Sequence, residues 1–212
     1  MKTIVCFGDS NTWGCVPLTD EGPPRRYSAN ERWPGVLRKE LGDSYWIVEE
    51  GLNGRTTVWD DPLSPYRSGK DHLLPVLLSH RWIDLVVVML GTNDLKSRFG
   101  ASARDIAEGA GRLVYMILRS ECGPGQSAPQ VLLMCPPPLA RLTTYAGEFA
   151  GGAEKSRELA AEYAAVAEAH GCALLDAGET IRSSDVDGIH FDASEHEKLG
   201  RAVAARVREL IG

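Results

Sequence analysis

Basic runs, long apolar runs and paired cysteines are all missing from this sequence of 212 residues. Lysine and arginine total 23 against 29 aspartates and glutamates, for a formal charge of −6, and they form no long run. The electrostatic footprint of a phosphate-backbone binder is absent, so no nucleic-acid partner is expected. No apolar stretch approaches the ~20 residues of a membrane-spanning helix. The one near the start turns polar at Gly8-Asp9-Ser10, too early for the apolar part of a signal peptide. A cytoplasmic protein with no membrane partner is expected. The five cysteines (Cys6, Cys15, Cys122, Cys135, Cys172) form no CxxC pair, which suits reduced thiols better than disulfides or zinc ligands. The five histidines are equally dispersed, so neither a metal nor a cofactor is expected.

What is present has the composition of an ordinary folded protein. Apolar residues at 43% and charged residues at 25% exclude disordered, collagenous and disulfide-dense classes. The length suits a single domain over residues 1–212. No repeat or low-complexity tract interrupts it, and the Pro- and Gly-rich segments 21–26, 123–129 and 143–152 read as loops.

Five short apolar runs, at 3–7, 45–49, 83–90, 130–135 and 172–176, have the length of strands and are continuous rather than alternating. Continuous apolarity means that both faces are covered, as in a parallel sheet between helices. Helical spacing separates the runs. It is carried by Trp33, Val36, Leu37 and Leu41, then by Ile106, Ala110, Leu113, Val114 and Ile117, and it recurs over 154–170 and 194–211. Gly42, Gly171 and Gly212 stand where helix C-caps belong, and Asp192 with Glu195 has the form of a capping box. This β-α alternation predicts a three-layer α/β/α sandwich whose ligands bind at the carboxyl ends of the strands.

The first strand ends in Gly8-Asp9-Ser10-Asn11-Thr12-Trp13-Gly14, which places a serine hydroxyl at that edge, ahead of a possible helical turn. Standing alone, Ser10 reads more simply as a helix cap. As a nucleophile it needs an imidazole base held by a carboxylate. His72, His80, His170 and His196 fall within or beside expected helices, whereas His190 lies in the loop between the last strand and the last helix. Asp187, one loop turn ahead, can reach its Nδ1 and leave Nε2 free, a better spacing than that of Asp185. Acyl transfer also needs oxyanion donors. Asn93 in Leu90-Gly91-Thr92-Asn93-Asp94 can offer a side-chain amide, and Gly54 a backbone N–H unobstructed by a Cβ. Turn chemistry alone also accounts for Asn93 and Asp94, and an ordinary loop for Gly54.

Taken together, these blocks resemble the SGNH, or GDSL-type, serine hydrolases. Gly8-Asp9-Ser10, Gly54, Gly91-Thr92-Asn93-Asp94 and Asp187-Gly188-Ile189-His190 occur in the family's order and span nearly the whole chain. The strings FGDSNTWG, EEGLNGRTT, MLGTND and VDGIHF are similar to the aryl-esterase branch, which includes perhydrolase-type acyltransferases. The resemblance implies a flavodoxin-like five-stranded parallel sheet in the order 2-1-3-4-5. Ser10 would be the nucleophile, His190 the base and then acid, and Asp187 the orienting carboxylate. Backbone N–H groups of Ser10 and Gly54 with the Asn93 amide would form the oxyanion hole. Asn11 stands where the family usually has leucine, and with Trp13 it is a candidate for the substrate pocket. Cys15 occupies a position where relatives can carry a bulky aromatic, which bears on the width of the acyl pocket. Assembly from identical subunits is implied too, with 21–27 and 143–152 as candidate interface loops.

The activity expected is hydrolysis of small aryl or short-chain acyl esters through an acyl-enzyme, with transfer to an alcohol or peroxide if either outcompetes water. O-deacetylation of a carbohydrate or other metabolite by the same triad is the alternative. Outside catalysis, a flavodoxin-like module could hold FMN or another phosphate at the loop after the first strand, although neither a GxGxxG nor a GxxxxGK[ST] pattern occurs there.

Overall fold

A computed structural model describes residues 1–19 and 22–212; Glu21, with which two of the expected loops begin, lies outside the described residues. Five parallel strands, β1 (Lys2–Gly8), β2 (Tyr45–Gly51), β3 (Leu85–Met89), β4 (Gln130–Cys135) and β5 (Ala173–Asp176), form one sheet in the order β2-β1-β3-β4-β5. The expected class and strand order are therefore found. Alternate residues of each central strand feed two separate cores. Val5, Phe7, Val86, Val88, Val131 and Leu133 face helices α3 (Gly69–Ser79), α4 (Ala103–Leu118) and α6 (Leu159–His170). Ile4, Cys6, Leu85, Val87, Leu132 and Met134 face α2 (Trp33–Leu41) and α7 (Ala193–Ile211). Burial on both faces explains why these runs carry no polar alternation.

The strand expected at 83–90 runs only over Leu85–Met89: before it the Ile83 N–H donates to the Cys122 carbonyl at 2.8 Å, and after it the Leu90 carbonyl accepts the Tyr163 hydroxyl at 2.7 Å. The helix expected over 154–170 is two helices, α5 (Gly152–Ser156) and α6. Between them Ser156 Oγ donates to the Ala153 carbonyl at 2.8 Å and accepts the Leu139 N–H at 3.0 Å, a local bond that competes with helix continuation. Gly42, Gly171 and Gly212 do cap their helices. The capping box at Asp192 does not form. Asp192 holds the N-cap position, but its carboxylate accepts from Ser184 Oγ at 3.0 Å, and Glu195 turns to the Arg182 N–H and to Lys198. Such a box is found instead between Ser102 and Asp105 at the start of α4.

Among the described residues no helix is long and apolar enough to cross a membrane.

Candidate active site

The carboxyl ends of β1, β2 and β3 and the loop after β5 converge on one cleft. At the end of β1, Asp9 rather than Ser10 caps the short helix α1 (Ser10–Trp13), its Oδ1 accepting the Asn11 N–H at 2.9 Å. Ser10 is the first helical residue, so its hydroxyl projects from the helix N-terminus instead of folding back on it. His190 Nε2 lies 3.0 Å from Ser10 Oγ, and His190 Nδ1 lies 2.6 Å from Asp187 Oδ2. Asp187 also accepts the Leu18 N–H on Oδ2 at 2.8 Å, and those of Ile189 and His190 on Oδ1 at 2.9 Å each.

These contacts set the protonation states. Burial alone would raise the Asp187 pKa, but the bonds from His190 and Leu18 reverse the balance and hold it below the usual carboxylate range. Burial likewise works against a charged imidazole, yet hydrogen bonds to Asp187 and to the Cys15 thiol outweigh it and push His190 up to about 9. An ionised Asp187 keeps the neutral ring's proton on Nδ1, leaving Nε2 to accept from Ser10.

Two further residues singled out in the sequence, Gly54 and Asn93, line the same cleft. Gly54 adopts φ +79, a conformation that suits glycine and turns this loop against the cleft. Gly91, at φ +121, lets the chain reverse sharply after β3 and brings Asn93 to the cleft, where its amide donates to the Arg55 carbonyl at 3.1 Å. Arg55 is itself buried, stacked 4.1 Å from the Phe7 ring and donating to the Gly8 carbonyl at 3.0 Å, so the β2 loop is pinned to the end of β1.

Ser10, Gly54, Asn93 and His190 share one cavity of about 500 Å³. Leu18, Phe149 and Ile189 supply apolar surface; Asn53, Lys96 and Glu148 supply polar surface. Cys15 reaches the cavity as its position suggested, and Tyr145 meets His190 edge-on with ring centroids 6.2 Å apart. Lys96 is held between Glu148 at 3.4 Å and Asp61 at 3.7 Å, and Arg98 binds Asp61 through both carboxylate oxygens. Sequence reasoning missed Lys96, Tyr145, Glu148 and Phe149. The available signal for Lys96 was its place just beyond Gly91-Thr92-Asn93-Asp94; the others lie in a loop without periodicity.

Two pocket candidates are corrected, since neither Asn11 nor Trp13 is among the described residues lining the cavity. Asn11 is buried, and its amide donates to the Ile189 carbonyl at 3.2 Å, tying α1 to the His190 loop. Trp13 is half-buried, with the Arg26 guanidinium 4.8 Å from its ring centroid. Among the described residues no group of three His, Cys, Asp or Glu side chains could hold a metal ion.

The profile of the GDSL-like lipase/acylhydrolase family matches residues 6–198. The chain belongs to this family. Over all of both chains, the acylhydrolase is 44% identical to the aryl esterase of M. smegmatis, with a TM-score of 0.96. It is 42% identical to a carbohydrate acetylesterase from Sinorhizobium meliloti, again over all of both chains and at a TM-score of 0.96. A lipase/acylhydrolase from Enterococcus faecalis shares the fold at 20% identity, 99% coverage of this chain and 96% of the other, and a TM-score of 0.71. No curated protein matches. Family membership makes the protein an esterase and displaces the phosphate-binding alternative, which the buried Asp9 carboxylate in the loop after β1 also opposes.

Proposed function

We propose that the protein hydrolyses small aryl or short-acyl carboxylic esters, with Ser10, His190 and Asp187 as its triad. The observation that carries this reading is the Ser10 Oγ to His190 Nε2 distance of 3.0 Å, with Asp187 2.6 Å behind the ring. As Ser10 attacks the ester carbonyl, its proton passes to Nε2, and Asp187 stabilises the imidazolium. Negative charge collects on the former carbonyl oxygen, where the N–H groups of Ser10 and Gly54 and the amide of Asn93 receive it. Collapse of this intermediate expels the alcohol, protonated by His190, and leaves an acyl-Ser10 ester. Water, deprotonated by the same ring, then releases the acid. An alcohol or peroxide in place of water yields a new ester or a peracid, and the Leu18, Phe149 and Ile189 surface supports that partition.

The acyl group in this reading is short. Rates on 4-nitrophenyl esters of increasing chain length test this, and are expected to be highest for acetate to butyrate; a preference for long chains would refute it. A second reading, removal of acetyl groups from carbohydrates, draws support from the polar wall of Asn53, Lys96 and Glu148 and from the Sinorhizobium neighbour. Faster turnover of acetylated sugars than of 4-nitrophenyl acetate would favour it. Assembly from identical subunits belongs to the same proposal, and a monomeric mass by light scattering would remove it.

A further inference from the structure

The proposed cycle leaves unused a buried carboxylate that touches its machinery. Asp9 is 1% exposed. While Oδ1 caps α1, Oδ2 faces Asn93 Nδ2 at 3.5 Å. The same amide nitrogen donates to the Arg55 carbonyl at 3.1 Å, so both of its hydrogens have partners and the rotation of the amide is fixed. The two contacts differ in strength, since 3.1 Å is an ordinary N–H···O distance and 3.5 Å is at its limit. The hydrogen on the Asp9 side is oriented by that weak contact without being fully taken up, so an oxyanion can share it. The Arg55 side remains as the anchor.

Charge supplies a second link. Asp9 is attracted to both His190 and Arg55. During attack His190 becomes an imidazolium, which a nearby anion favours, while the Arg55 guanidinium offsets that anion's effect on the oxyanion side. We propose that Asp9 is a positioning residue for ester cleavage, presetting the Asn93 amide for the oxyanion and stabilising the protonated state of His190. This inference rests on the roles proposed above for Ser10, His190 and Asn93.

The groups that face Asp9 electrostatically come from every neighbouring element: His190 after β5, Arg55 after β2, Asp94 after β3 and Tyr163 on α6. Burial pushes the Asp9 carboxyl up to about 6, against the pull of the Asn11 N–H, His190 and Arg55. Asp9 is therefore ionised across the more alkaline range where His190, pushed up to about 9, gives up its proton. By reciprocity, removing the Asp9 charge must lower the His190 pKa.

The test measures kcat and KM for 4-nitrophenyl acetate across pH with the full chain and its Asp9→Asn variant, which keeps an oxygen for the α1 cap. Expected is a kcat lower by roughly tenfold at nearly constant KM, the size of one weakened charge-assisted hydrogen bond. The acid limb of kcat/KM should also move to lower pH. Combined with Asn93→Ala, the loss should be less than the product of the two single losses. An unmoved limb, or multiplicative losses, would overturn the proposal. Should Asp9→Asn fail to fold, Asp9→Ser retains a capping oxygen without the charge and is read in the same way. Fluorophosphonate labelling of the unaltered protein runs in parallel. Absence of an adduct on Ser10 would overturn the triad reading and with it the proposal, whereas an adduct with an unmoved limb would overturn the Asp9 role alone.

Discussion

The backbone N–H of Leu18 donates to Asp187 Oδ2 at 2.8 Å, across 169 positions of sequence. The same oxygen meets His190 Nδ1, so the carboxylate that orients the imidazole is held from a loop on the substrate side of the cleft. Leu18 itself lines the cavity. Pocket shape and base orientation are thereby coupled through one oxygen atom.

Asp187→Asn should lower kcat/KM by roughly 10⁴, because an amide in this place either turns its N–H groups on the Leu18 N–H and Nδ1 or imposes the wrong imidazole tautomer. Binding of a non-reacting ester analogue should change little. A loss below tenfold would show that Asp187 does not orient His190.

The pH dependence follows from the His190 balance. The neutral ring is the active form, and its pKa is pushed up to about 9. Activity measured as kcat/KM should therefore rise with pH well beyond the ordinary histidine range near ~6.5, and level off on the alkaline side. A limb at or below the ordinary value would mean that burial outweighs Asp187 and Cys15.

Replacing Asn93 by Ala removes one of three oxyanion donors while leaving the nucleophile and base in place. Turnover of 4-nitrophenyl acetate should fall by ~10²–10³. Wild-type turnover in Asn93→Ala would place the oxyanion elsewhere.

Asp94 offers a stability measurement independent of turnover. It is fully buried, and burial raises its carboxyl to about 6 although Thr57 bonds to it through both N–H and hydroxyl. Between the unfolded value near ~4 and the folded value, the native state holds more protons than the unfolded state, so this group's contribution to stability declines as pH rises. Asp94→Asn removes that decline. Relative to the parent protein, its urea-unfolding free energy should increase through this window by at most about 3 kcal/mol and then stay level. A difference independent of pH would show that the Asp94 carboxyl titrates in the native state as it does in the unfolded chain.

Sequence reading succeeded where a single residue's chemistry or a local pattern decides the outcome. Val86, Val87 and Val88 announced a strand buried on both faces, since each face needs its own apolar residues. His190 stood apart because helices accounted for the other histidines. The readings that failed depended on tertiary partners. Asn11 bonds to the Ile189 carbonyl across 178 positions, and no local pattern announces such a bond. Asp192 lost its capping role to a competing hydroxyl from Ser184. Lys96, Tyr145 and Phe149 reach the cavity only because β3 and β4 are neighbours, which places the loops that follow them side by side.

Reaction with a fluorophosphonate, followed by peptide mass analysis, tests the central assignment most directly. A phosphonyl adduct on Ser10, absent from Ser10→Ala and slowed in a variant lacking His190, is the expected result. An adduct on any other residue, or undiminished labelling after loss of the His190 ring, would contradict it.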